Sequence, residues 1–332
     1  MTSDERTSDG RIGRAAMLLV LGVTLARIVY LVWLCPYELA ADEAQYWDWS
    51  RASHLDLSYY SKGPGVAWLI AASTRVFGDA EWAIRLPAAL SAGVSMLAVA
   101  ALAGKVGGSR AAFAAAVAFC CVPAYHATAI LMTIDSPYIA CWALAALAAW
   151  SLRERGSLGG WLSLAACLGV GFLFKYTILL LVPGLVAWWW LERGRERVAA
   201  SVLVRASAAL VVFALIVSPV FIWNARNGWP TVSHLLGHLG AAGGDLPAKA
   251  TPRPVDPRWS LEFLGTQIGL IGPILAAMAL AVADASRNRL VDTDGWRVAR
   301  FGLATSLPIL VFYFAVSFTT DVEGNWPIAG YT

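Results

Sequence analysis

Charge is what this sequence has least of. Only 14% of its 332 residues are Asp, Glu, Lys or Arg, against about a quarter in soluble globular proteins. That scarcity excludes an ordinary soluble domain. A formal net charge of +3 points to no nucleic-acid partner, and in such a chain the placement of Lys and Arg matters more than their sum. Histidine is also scarce, with four in all, and there are five cysteines. Cys35, Cys120, Cys121, Cys141 and Cys167 all lie in or beside apolar runs, without the spacing of metal ligands. Cys120 and Cys121 are neighbours and poorly placed to bridge each other. All five read as small packing residues. The sequence has no internal repeat and no stretch resembling a second, soluble domain.

What the sequence does contain is apolar runs. Hydrophobic residues make up 58% and the mean hydropathy is +0.62. The runs are roughly 17–25 residues long, enough to cross about 30 Å of hydrocarbon as helices. Sixteen tryptophans suit a protein with two water–lipid interfaces. The chain therefore reads as an all-α polytopic membrane protein. Nine spanning helices are expected, at 15–34, 83–103, 110–127, 136–152, 158–174, 177–192, 202–222, 260–283 and 300–318. Residues 1–14 are expected to be a disordered N-terminal segment. The first run is too long for a signal peptide and has no clear small-residue cleavage site.

Pro64–Phe77 is apolar but only about 14 residues long, which favours an interfacial or re-entrant helix. Charge decides the matter. If this segment does not cross, fifteen of the 25 Lys and Arg residues fall on the side of the N-terminus and nine on the other, with Arg27 inside the first span. That distribution obeys the positive-inside rule and puts the N-terminus in the cytoplasm. The outer loops are then 35–82 and 223–258. Asp42, Glu43, Lys62, Asp135, Lys175, Arg226, Asp321 and Glu323 all fall on the outer side.

Several of these residues have chemical uses and ordinary ones. Asp42 and Glu43 are neighbours, so on a helix they point about 100° apart and at most one faces a given substrate. A carboxylate there could take a proton from an attacking hydroxyl, or it could cap a helix in its first turn. Lys62 lies between Tyr59-Tyr60-Ser61 and Gly63-Pro64; it could hold a phosphate as a point charge or simply snorkel. Asp135 precedes Ser136-Pro137 and suits a helix start. Lys175 sits at the tip of a helical hairpin. Arg226, between Trp223 and Trp229, could bind phosphate or stack on an indole. His234 and His238 share one helix face, but no acidic third ligand accompanies them.

Order and spacing add more than any one residue. The segments "DEAQYWDWS…LDLSYYSKGPGVAWL", "TIDSPYIACWAL", "FKYTILLLVPGL", "FIWNARNGW" and "VEGNWP" resemble the bacterial polyprenyl-phosphate-sugar-dependent glycosyltransferases. These include protein O-mannosyltransferases, aminoarabinose transferases acting on lipid A, and galacturonic acid transferases of rhizobial lipopolysaccharide. The resemblance runs from Leu25 to Trp326. It implies the GT-C membrane fold over 15–332, with an interfacial helix in the first periplasmic loop. It also implies a bacterial inner-membrane enzyme, a hexosyl- or pentosyltransferase acting with inversion. The implied partners are a polyprenyl-phosphate-linked sugar and a periplasmic glycan, lipid or protein acceptor, in contact with membrane lipid.

By the same resemblance Asp42, Glu43 and Asp135 are the catalytic candidates, and Lys62, Lys175 and Arg226 contact the donor phosphate. Tyr46, Tyr59, Tyr60 and Glu323 line the substrate pocket. No metal ligand set is assigned; a divalent cation stays open, because Ser61 stands where the aminoarabinose branch has an acidic residue. Gln45 replaces an arginine of that branch, and Gly63-Pro64 replaces a common Pro-Pro. Relatives continue beyond the position of Thr332, so the C-terminal part of the family fold is expected to be missing. Two other functions remain open at this point, a transporter or flippase of lipid-linked sugars and a non-catalytic membrane subunit. A flippase calls for polar residues along a path through the bilayer, and Arg27 is the one charge deep in a span.

Overall fold

A computed structural model describes residues 3–194, 199–238, 243–245, 257–272, 274–288 and 293–332. Among these residues the regular structure is helical throughout. Helix α1 (Ser3–Val29) continues into a wider turn at Tyr30–Leu34, and it begins within the stretch expected to be disordered. Two shorter helices follow, α2 (Ala41–Ser50) and α3 (Gly65–Phe77). Next comes α4 (Glu81–Cys120), which breaks at Gly107-Gly108. Gly108 has φ +72°, a conformation open to glycine at little cost. The two arms of α4 take up the spans expected at 83–103 and 110–127. The second arm stops at Cys120 rather than 127, because Pro123 opens a new helix, α5 (Pro123–Ile130).

From α5 the chain turns by 119° into α6 (Asp135–Arg155). Helix α7 (Leu158–Phe174) starts at Ser157, whose hydroxyl accepts the Gly160 N–H. A 3-10 turn at Tyr176–Leu180 leads into α8 (Leu181–Arg193). The chain goes on through α9 (Ala200–Asn227) and α10 (Pro230–His238). The span expected at 260–283 is instead two helices, α11 (Pro257–Ile271) and α12 (Ile274–Arg287), at 96° to each other. Gly272, φ +62°, lies at the bend. Last come α13 (Thr293–Val316) and a 3-10 turn at Ile328–Tyr331. Among the described residues four helices are long and apolar enough to cross a membrane, or six if each bent pair is one span. Nine apolar runs are therefore not nine such helices, because breaks at Val122 and Gly272 divide runs that composition alone reads as continuous, and α7 and α8 are each shorter than a full span.

In the core α1 packs on α4, α6 lies against α4 and α7, α7 packs on α9, and α13 packs on α8. Small residues set the closest approaches. A side chain at Gly93 would meet Thr24 of α1, and one at Gly184 would run into the Ala304 carbonyl. Trp142, Tyr138, Ile139, Met96 and Ile84 fill the interior between them.

One end of the bundle is fastened by a buried ion pair. Glu43 of α2 is 0% exposed and Arg85 of α4 is 2% exposed. They meet through two parallel contacts, Arg85 Nε to Glu43 Oε1 at 2.9 Å and Nη2 to Oε2 at 2.7 Å. The guanidinium also donates to the carbonyls of Tyr37 and Glu38, both at 2.8 Å. The carboxylate accepts the N–H groups of Ala40 at 3.0 Å and Met132 at 2.8 Å. One pair thus ties α2, the segment leading to it, α4 and the α5–α6 break together. A planar guanidinium supplies the fork that such a site needs, whereas an ammonium does not. Arg85→Met should lower stability by about 3–5 kcal/mol, since it strands a buried carboxylate. Thermal unfolding in detergent measures this, and an unchanged melting temperature would remove the pair as the fastening.

Candidate active site

Next to this fastening lies a cavity of about 560 Å³. Its polar lining comes from seven separate places in the chain: Asp42, Gln45 and Tyr46 of α2; Tyr60, Ser61 and Lys62 of the following loop; Thr133 and Asp135; Lys175, Tyr176 and Thr177; His234; Tyr313; and Glu323, Asn325 and Trp326. Its apolar wall includes Leu179, Leu180, Leu235, Phe312 and Val316. Both Leu179 and Leu235 are partly exposed.

Each charged group is held differently. Asp42 lies in the first turn of α2 and is exposed to the cavity; among the described residues no hydrogen bond or ion pair engages its carboxylate. Lys62 is likewise without a partner for its ammonium. Burial, and then the nearby Lys175, lower its pKa from the usual lysine value, against the pull of Asp135, Asp42 and Glu323. Its backbone is fixed, because the Lys62 carbonyl accepts the Tyr59 N–H at 3.0 Å and the Ser58 hydroxyl at 3.3 Å. The next residue, Gly63, sits against the Leu173 carbonyl at the end of α7, where a side chain would collide with backbone.

Lys175 by contrast is engaged. Its Nζ is 3.0 Å from Asp135 Oδ1 and 3.4 Å from the Trp326 carbonyl, and it lies 5.4 Å from the centre of the Tyr138 ring. Burial acts to lower its pKa, but Asp135 more than offsets that and holds it above the usual value. The other oxygen of Asp135 accepts from Asn325 Nδ2 at 2.8 Å. Burial, followed by the fields of Asp42, Asp135 and Glu323, pushes the Tyr46 phenol well above its ordinary range, so it stays a neutral donor.

The structure therefore gathers Asp42, Tyr46, Tyr60, Lys62, Asp135, Lys175 and Glu323 around one cavity. Three other sequence candidates are not on its lining. Glu43 is turned about 100° from Asp42, as helical neighbours are, and points away from the cavity to Arg85. Burial alone would raise its carboxyl, but Arg85 and two backbone N–H groups hold it below the usual range. It is thus a tied anion and not a base. Tyr59 is buried behind the wall, stacked on Trp49 with ring centres 4.2 Å apart and its hydroxyl on the Trp49 carbonyl. Arg226 is exposed on the last turn of α9.

His234 does reach the cavity, where its Nδ1 lies 3.1 Å from Asp245 and its ring edges against Tyr60. The side chain of His238 lies outside the described residues. Among the described residues no group of three or more His, Cys, Asp or Glu side chains is arranged to hold a metal. Arg27 is buried beside His126 of α5, 3.5 Å away, and is not on the cavity lining. The residues that sequence reasoning missed are Arg85, Gly63 and Asn325. Gly63 and Asn325 carried a signal in their places within the "SYYSKGPG" and "VEGNWP" segments, and Arg85 carried none.

Comparison with known proteins gives likenesses of sequence and of fold. Residues 61–223 match the family described as dolichyl-phosphate-mannose-protein mannosyltransferase. The lipid A galacturonosyltransferase RgtD of Rhizobium johnstonii is 30% identical over 323 residues, which is 96% of this chain and 63% of that protein. The undecaprenyl phosphate-alpha-4-amino-4-deoxy-L-arabinose arabinosyl transferase of Erwinia tasmaniensis is 30% identical over 220 residues, 59% of this chain and 39% of its own length. The crystal structure of ArnT from Cupriavidus metallidurans bound to undecaprenyl phosphate superposes with a TM-score of 0.74 at 20% identity, covering 95% of this chain and 57% of that one. The chain thus spans less than two thirds of the length of these relatives. The chain therefore has the all-helical GT-C membrane fold of ArnT, and its sequence is similar to those of membrane glycosyltransferases.

Proposed function

We propose that this chain carries the donor-side reaction centre of an inverting glycosyltransferase that uses a polyprenyl-phosphate sugar. The observation that carries the reading is the contrast inside one cavity. Asp42, Lys62 and Glu323 face it with charged groups that no hydrogen bond or ion pair engages among the described residues, and Asp42 and Lys62 are the base and the cation we assign, while Asp135 and Lys175 are tied to partners. In this mechanism an acceptor hydroxyl attacks the anomeric carbon and Asp42 takes its proton. The bond from that carbon to the phosphate oxygen breaks, and the electron pair leaves with the polyprenyl phosphate. Lys62 neutralises the phosphate, joined by Lys175, so no general acid is needed for the leaving group. The apolar wall at Leu179, Leu180, Leu235, Phe312 and Val316 suits the first units of a polyprenyl chain.

The acceptor we favour is lipid A or a related envelope glycolipid, since RgtD is named for lipid A. We place the cavity on the periplasmic side of the inner membrane, with the N-terminus in the cytoplasm. In support, Arg153, Arg297 and Arg300 converge on Glu192. Arg153 lies eighteen residues along α6 from Asp135, or about 27 Å at 1.5 Å per residue. The arginines therefore gather a bilayer's thickness away from the cavity.

Three measurements test this reading. In a deletion strain, wild type should restore a sugar to an envelope glycolipid seen by mass spectrometry, and Asp42→Asn should not, with turnover down by about 10²–10⁴-fold. Retained turnover would remove Asp42 as the base. Binding of undecaprenyl phosphate should depend on pH through Lys62. Its cationic form is lost as pH rises through a value lower than that of an ordinary lysine, so affinity should begin to fall earlier on the alkaline side. Lys62→Arg should abolish that early decline, and an identical profile in both proteins would return Lys62 to an anchoring role. Gly63→Ala should displace Lys62 from its seat on α7 and weaken binding by about 10²-fold, the cost of misplacing a binding group by about 1 Å; unchanged affinity would mean that the loop yields freely.

A further inference from the structure

We infer that Asn325 is a positioning residue that makes Lys175 exchangeable, holding Asp135 in place while Lys175 turns from that carboxylate to the donor phosphate. The inference rests on the function proposed above. Lys175 is the second cation of the cavity, yet it is already spent on Asp135. An ammonium has three donors. One goes to Asp135 and one to the Trp326 carbonyl, which leaves a third for an anion in the cavity. To give a phosphate more than that, Lys175 must loosen from Asp135. The obstacle is the carboxylate left behind, which is only 4% exposed. A buried charge deprived of its counter-ion is strongly destabilising.

Asn325 reduces that cost. Its amide donates to Asp135 Oδ2 at 2.8 Å, on the oxygen that Lys175 does not use. The two partners therefore do not compete, and one can move while the other stays. Asn325 is neutral, so it does not add a second cation that would repel Lys62.

Its own seat is firm. The Trp326 N–H bonds the Glu323 carbonyl and the Ile328 N–H bonds that of Asn325, both at 3.1 Å, making a tight turn. Gln267 of α11 donates to the Gly324 carbonyl at 3.0 Å and accepts from Tyr331 at 2.9 Å. Trp326 packs on Tyr313 of α13. The amide is thus presented by a turn braced mainly by α11 and α13, which touches the Lys175 hairpin through the long Lys175 contact with the Trp326 carbonyl.

The test is a double-mutant cycle on binding of undecaprenyl phosphate, read by tryptophan fluorescence with the purified chain in nanodiscs. The four proteins are wild type, Asn325→Ala, Lys175→Ala and the double variant. With Asn325 absent, Asp135 has Lys175 as its remaining side-chain partner and holds it more firmly. Asn325→Ala should therefore weaken binding by roughly ten- to a hundredfold, the worth of one hydrogen bond to a charged group. In the Lys175→Ala background the same change should have little further effect, because there is no lysine left to release.

Equal losses in both backgrounds would make Asn325 merely structural and overturn the inference, as would no loss in either. Asn325→Asp guards against misfolding, since it preserves shape; its carboxylate should capture Lys175 and weaken binding at least as much as the alanine variant. Full affinity in that variant also overturns the inference. A wild type that does not bind undecaprenyl phosphate would instead overturn the functional reading, and the inference with it.

Discussion

The geometry of the cavity depends on the contact between Glu43 and Arg85. The start of α2, the segment before it, α4 and the α5–α6 break that delivers Asp135 all meet at it. A pair this deeply buried is not a cheap source of stability, since desolvation consumes most of the Coulomb attraction. What it provides is a single arrangement. Each lone pair and each N–H has one partner at hydrogen-bond distance, so α2 has little freedom to rotate. Asp42, one residue earlier, takes its direction from that restraint.

The cavity separates charges that are committed from charges that are not. Glu43, Asp135 and Lys175 have partners within 3.0 Å, whereas Asp42 and Lys62 have none among the described residues. Committed groups fix the shape and the local field; uncommitted ones retain an unmet demand that a substrate can satisfy. Desolvated lysine is the costliest member of this set, as its depressed pKa shows. The chain holds it there by backbone bonds and by the contact of Gly63 with α7, without an acidic partner that would have relieved the cost. Charged groups perturbed by burial in this way cluster at functional sites.

Much of this was legible in the sequence. Apolar run lengths gave the helical membrane class, and the ordered motifs brought seven of the candidate side chains to one cavity. What was not legible follows from how helices end. Composition does not distinguish a continuous apolar run from one broken at Val122 or Gly272, because the break is a matter of backbone conformation and not of hydropathy. Likewise Asp42 and Glu43 are equivalent in one dimension; the partner that separates them, Arg85, is 42 residues away and reads as an ordinary interface arginine. Arg226 kept company with tryptophans in sequence, yet the last turn of α9 leaves it on the surface.

The hydrogen bond from Asn325 to Asp135 joins residues 190 apart. During synthesis at about 5–20 residues per second, that separation is roughly ten to forty seconds. From Lys175 onward, over the last 150 of those residues, Asp42, Lys62, Asp135 and Lys175 have all been synthesised, while the turn that completes the pocket has not been made. The nascent chain therefore exists for a time as a membrane bundle with an unfinished centre. Its buried carboxylate then depends on a lysine alone, and binding of a lipid phosphate at that stage would compete with folding rather than follow it.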